Sequence, residues 1–125
     1  MKDNITTVPG PKHVVIQALL EYHVLLSCPK NATPQVFRER VKEGFSKEYK
    51  IDVLARYYHS RGKSDVMYEV QKDLDLPSFK KKMEELKASG GEIIELDKCP
   101  DDILLASEWI KNRIVIPDFK RKREE

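Results

Sequence analysis

Tyr22-His23-Val24-Leu25-Leu26-Ser27, stopped by Cys28-Pro29, is the stretch that decides the fold. Its β-branched and aromatic content suits a strand, whereas Ile16, Leu19, Leu20 and His23 recur at helical spacing. As a strand it opens an α+β chain. If His13 to Leu20 is instead a helix, two helices precede the hairpin, and a winged-helix-like arrangement with Arg61 and Lys63 at the wing becomes the rival. The strand is the expectation, and the elements downstream agree with it.

Thr33-Pro34 offers a helix start, with a side-chain acceptor at the N-cap and proline at N1. Phe37, Val41 and Phe45 then recur on one face, so a helix is expected from Pro34 to Lys47. Ile51, Val53, Ala55 and Tyr57 alternate with polar and aromatic residues. Beyond Ser60-Arg61-Gly62-Lys63-Ser64, Val66, Tyr68 and Val70 alternate again, which predicts a hairpin with a basic tip. Leu76, Phe79, Met83 and Leu86 predict a helix from Pro77 to the Gly90-Gly91 stop, followed by a strand over Glu92 to Leu96. Pro100, Asp101 and Asp102 open a last helix with Ile103, Ala106, Trp109 and Ile110 inward. Ile114-Val115-Ile116 is available as an edge strand.

The expected order, strand, helix, strand, strand, helix, strand, is the ferredoxin-like βαββαβ sandwich with an added C-terminal helix. Right-handed crossings put both helices on one sheet face. The period of two sends His23, Leu25, Leu54, Arg56, Tyr58, Met67, Glu69 and Gln71 to the other. Leu25, Leu54, Tyr58 and Met67 there form an apolar patch, expected to be an interface with a second copy or with the Trp109 helix. With Gly62-x-x-Asp65-Val66-x-x-x-Val70 and a following helix, Tyr22 to Leu96 resembles the small dimeric α/β-barrel proteins built on the ferredoxin-like unit. That superfamily includes isomerases, oxygenases and ligand binders, so the resemblance implies a fold and a dimer but no particular chemistry.

The 125 residues carry 23 Lys plus Arg against 21 Asp plus Glu, a net charge of +2. Near-cancellation at 35% charge argues against both a disordered polyelectrolyte and a generally basic nucleic-acid binder. A chain of this mass buries about two-thirds of its unfolded surface, so one domain is expected over 13–117. Residues 1–12 read as a flexible arm and 118–125 as a charged tail. Cys28 and Cys99 are too few for a disulfide framework, and no signal-peptide or membrane-span pattern occurs. A cytoplasmic or nuclear compartment is expected.

His13, His23 and His59 have no Cys or carboxylate at a metal-ligand spacing, so neither metal nor cofactor is expected. His59, Tyr58, Arg56 and His23 are the catalytic candidates, a base and a cation near one end of the sheet. Cys28 is a candidate thiol near Lys30 and a helix start, though free cysteine is usually a small buried hydrophobe. Glu84-Glu85 and Asp101-Asp102 are adjacent and share no proton. No phosphate-loop or hydrolase motif is present. Arg61, Lys63, Lys120, Arg121, Lys122 and Arg123 are the phosphate-binding candidates. The expected function is a non-catalytic binding or adaptor protein that self-associates or meets a protein partner through the sheet. A cofactor-independent small-molecule enzyme or ligand binder is one alternative, and a nucleic-acid accessory protein acting through the basic tip and tail is the other.

Overall fold

The computed structural model describes residues 10–42, 49–72, 77–88 and 90–117. It is α+β, with a four-stranded mixed sheet and three helices. The order is α1 (Pro11–Ser27), β1 (Thr33–Lys42), β2 (Tyr49–His59), β3 (Gly62–Gln71), α2 (Pro77–Ala88), β4 (Glu92–Glu95) and α3 (Ile103–Lys111). The strands lie side by side as β1-β2-β3-β4, antiparallel except for the parallel β3–β4 pair. The ferredoxin-like order is not found. None of the described helices is long and apolar enough to cross a membrane.

The decisive stretch is helix. Pro11 sits in the first turn behind Gly10, and Ile16, Leu20 and Val24, four residues apart, are all fully buried. Burying side chains of that size contributes about 1.5–3 kcal/mol each, more than the weak strand propensity of Tyr22 to Ser27 can offset.

The expected helix from Pro34 is β1, in as far as it is described; Phe45 and Lys47 lie outside the described residues. β1 is the sheet's edge, where the missing N–H of Pro34 costs no ladder bond, and its alternation puts Val36 and Phe37 on opposite faces. The hairpin forms with a tighter tip than expected, its ladder running from His59↔Gly62 to Val53↔Tyr68. Gly62, at φ 124, takes a conformation that side chains disfavour.

α1 and α3 cover one face, where Ile16, Leu20, Val24, Val53, Ala55, Tyr57, Tyr68 and Ile110 form the main core. α2 covers the other, packing Leu86 against Ile51, Leu54 and Met67. The helices therefore sandwich the sheet instead of sharing a face. α3 is capped by Asp102, whose side chain accepts the Leu104 N–H at 3.0 Å. Ala106 and Ile110 point inward as expected, but Ile103 is 53% exposed. Ile114 to Ile116 is not a strand; the Tyr68 hydroxyl accepts the Val115 N–H at 3.0 Å and holds this segment to the core.

Candidate metal centre

β2 departs from regular pleating at Asp52. Val53, Ala55 and Tyr57 face the α1 side, yet Ile51, two residues before Val53, faces α2. In a regular strand those positions share a face, so the alternation slips by one at Asp52, although the register with β1 is the same on both sides of it. Opposite it in β1 the ladder pairs Arg38↔Val53 and Arg40↔Ile51 but skips Glu39. Glu39 has φ 55, a left-handed backbone that a residue with a Cβ adopts at a cost of order 1–2 kcal/mol.

On its other side, the β2–β3 ladder ends at Val53↔Tyr68. Side chains take over where the backbones part. The Val70 N–H donates to Asp52 Oδ2 at 2.7 Å, and the Asp52 N–H donates to Glu69 Oε1 at 3.4 Å. Both carboxyl residues are buried, 7% and 5% exposed.

Two helices reach into this fork. From α2, Lys82 Nζ donates to Glu69 Oε2 at 2.7 Å and to the Lys50 carbonyl at 3.0 Å. From α1, Gln17 Nε2 donates to Glu39 Oε2 at 2.7 Å and to the Asp52 carbonyl at 3.1 Å. His13, one turn before Gln17, brings Nε2 to 3.3 Å from Asp52 Oδ1. That is ion-pair distance without hydrogen-bond alignment, and this buried nitrogen has no hydrogen-bond partner.

Burial, reinforced by the Asp52 charge, pushes the Glu69 carboxyl up to about 7 against the opposing pull of Lys82. The Asp52 carboxylate, with smaller help from Glu39 and Glu69, raises His13 above its ordinary value despite partial burial. Concentrating ionisable groups in the interior costs stability, and groups perturbed together in this way cluster at functional sites.

His13, Glu39 and Asp52 each offer a donor atom, and the three atoms lie within 4.8 Å of one another. Donors around a small divalent cation at about 2.1 Å stand roughly 3–4 Å apart, so small side-chain movements close the set. Carboxylate oxygens with one imidazole suit a hard or borderline cation such as Mg²⁺ or Mn²⁺. The His13 nitrogen, 3.3 Å from Asp52 Oδ1 without a well-aligned hydrogen bond, fits the same role.

Of the residues expected to carry chemistry, Arg56 and Tyr58 adjoin on β2, whereas His23 is held elsewhere. Arg56 is clamped by Asp65 at 2.8 and 3.0 Å, the Tyr58 hydroxyl donates to Gln35 at 2.8 Å, and His59 lies 2.9 Å from Ser64 Oγ. His23 is on α1, 2.8 Å from Ser107 of α3. Of the expected sheet patch, Leu54 and Met67 are buried against α2, Tyr58 is exposed at the β2 end, and Leu25 is exposed on α1. Arg61 and Lys63 are exposed at the hairpin tip, six or more residues along the strands from Asp52, roughly 20 Å or more. Lys120, Arg121, Lys122 and Arg123 lie outside the described residues. The Cys28 thiol is raised by burial and donates to the Ala32 carbonyl at 3.4 Å, the opposite of an activated thiolate.

The sequence sets His13 aside as a metal ligand and gives Glu69 only a sheet face, and it does not single out Gln17, Glu39, Asp52 or Lys82, because the six are scattered over 70 positions with no motif spacing. One signal was present: extending the hairpin register one step past Val53↔Tyr68 sets Asp52 opposite Glu69. Like charges directly opposed in a strand pair are unfavourable, so such a pair calls for a compensating reason. No protein-family model, curated protein or solved structure matches this chain.

Proposed function

We propose that this chain is a divalent-cation-dependent hydrolase of phosphodiester bonds in nucleic acid. The observation that carries the reading is the meeting of His13, Glu39 and Asp52 where the pairing of β2 with both neighbours is interrupted, with Asp52 braced by Glu69 and Lys82. A cation held by Asp52 with Glu39 and His13 supplies Lewis acidity and a bound water of lowered pKa. Glu69, buried and bonded through one oxygen to the Asp52 N–H and through the other to Lys82, braces Asp52 from the α2 side of the sheet and holds the cation ligand in place.

A polymeric substrate is favoured by the open setting. Glu39 is exposed, and so are Arg38, Arg40 and Lys50 around it on β1 and β2, which suits a phosphate backbone passing across the sheet edge. The adaptor reading loses its warrant at the sheet, since α2 covers Leu54 and Met67. The small-molecule reading is weakened, since Arg56 is clamped by Asp65 and His23 lies on α1 against Ser107, away from Tyr58 and His59.

The test is cleavage of supercoiled plasmid and of single-stranded DNA and RNA with Mg²⁺ or Mn²⁺, alongside calorimetric Mn²⁺ titration. Cation-dependent cleavage by the wild type that is lost in Asp52→Asn is the expected result. Absence of saturable Mn²⁺ binding and of cleavage on all three substrates would falsify the proposal.

A further inference from the structure

α1 is apolar on its outward arc as well as at the buried positions that meet the sheet, which is the pattern of a helix covered on both sides, not of a surface helix. Its inward face carries Ile16, Leu20 and Val24. At 100° per residue, Val14, Val15, Ala18, Tyr22, Leu25 and Leu26 occupy a continuous arc of about 120° on the outward face. They are exposed, Tyr22 by 54% and Leu26 by 63%. α3 lies alongside, joined through His23 and Ser107, and adds Ile103, Leu104 and Leu105, with Leu104 77% exposed.

We infer that this α1–α3 face is the interface of a two-fold homodimer in which α1 packs antiparallel on the α1 of a second copy. The five large exposed side chains of α1 with the adjoining flank of α3 present on the order of 500 Å² per copy, so two copies bury about 1,000 Å², the size at which a specific interface becomes stable. Ala18, near the middle of the stripe, allows close approach of two backbones. Glu21, paired with Arg38 at 2.8 Å, gives a polar rim on one side and exposed Glu108 on the other.

The chain's own remaining segments do not suit the role of cover. Residues 118–125 are all charged except Phe119, and 1–9 intersperse Ile5 and Val8 among Lys2, Asp3, Asn4, Thr6 and Thr7. The stretches 43–48 and 73–76 are too short to cover a 17-residue helix. A single stripe that runs the length of one helix is self-complementary about a two-fold axis, which closes the assembly at two copies.

The test is the solution mass of the full chain by light scattering over a wide dilution series, with Leu26→Glu, Leu104→Lys and the double variant. These side chains are exposed, so the variants fold; circular dichroism checks this, and Lys63→Glu at the hairpin tip is the control. The expected result is a dimer for wild type and Lys63→Glu, and a folded monomer for the double variant with a Tm that no longer depends on concentration. A wild type that is monomeric throughout, a dimer that survives the double substitution, or open-ended assembly would each overturn the inference. Neither Leu26 nor Leu104 belongs to the cation cluster, so this outcome and that of the Asp52→Asn cleavage assay are read independently.

Discussion

The Asp52 carboxylate accepts the Val70 backbone N–H at 2.7 Å, standing in for the strand-to-strand bond that would otherwise continue the β2–β3 ladder. Its other oxygen faces His13 at 3.3 Å. One side chain thus both closes the fork between two strands and supplies a cation ligand. Asp52→Asn keeps a carbonyl oxygen for Val70 but removes the charge. It is expected to fold while losing Mn²⁺ affinity and cleavage by about 100-fold. Asp52→Ala leaves a buried N–H without its partner and costs about 2 kcal/mol in urea denaturation.

Glu39 holds a left-handed backbone in the middle of a strand pair. In an ordinary strand glycine is worse than alanine, but here glycine alone adopts the conformation without strain. Glu39→Gly is therefore expected to be more stable than Glu39→Ala by about 1 kcal/mol, with both variants equally weakened in Mn²⁺ binding. Equal denaturation midpoints, or alanine ahead, would remove the case for stored strain.

Glu69 sets a pH dependence for the cation-free protein. Its folded pKa, about 7, lies above the ordinary value of 4.5, so between those limits folding takes up a proton. The contribution to stability is therefore greatest below pH 4.5, declines as pH rises toward 7 and is flat above, by on the order of 2 kcal/mol. Chemical denaturation at several pH values should show this slope in the wild type, and Glu69→Gln should flatten it.

Lys82 is expected to act through Glu69. Its ammonium holds the Glu69 carboxyl below the value burial alone would give, so Lys82→Met lets Glu69 take up a proton and the local net charge changes little. Mn²⁺ affinity is therefore expected to stay within about threefold of wild type, while urea denaturation shows a loss of about 2 kcal/mol from the broken buried pair. A loss of Mn²⁺ affinity as large as that of Asp52→Asn would instead make Lys82 part of the cation site.

Much of the chain's local structure was legible in advance because it depends on near neighbours. The alternation of Val53, Ala55, Tyr57, Val66, Tyr68 and Val70 named the hairpin and its buried face, and Leu86 with the Gly90-Gly91 stop named α2. The candidate site was not legible. His59, Tyr58 and Arg56 looked chemical because they are adjacent in sequence, whereas His13, Asp52 and Lys82 meet only through packing.

By itself the sequence determined an α+β chain with an alternating central hairpin and two C-terminal helices, since periods of 2 and 3.6 reflect which side chains must be buried together. Tertiary structure decided the segments where both periods were satisfied. Tyr22 to Ser27 became helix because Ile16, Leu20 and Val24 find a sheet to cover, and Pro34 to Lys42 became an edge strand because Tyr57 to Lys50 offered it a ladder. The cation cluster follows from those two choices. Only when α1 lies over β2, with the left-handed Glu39 of β1 beside it, do His13, Glu39 and Asp52 come within reach of one ion.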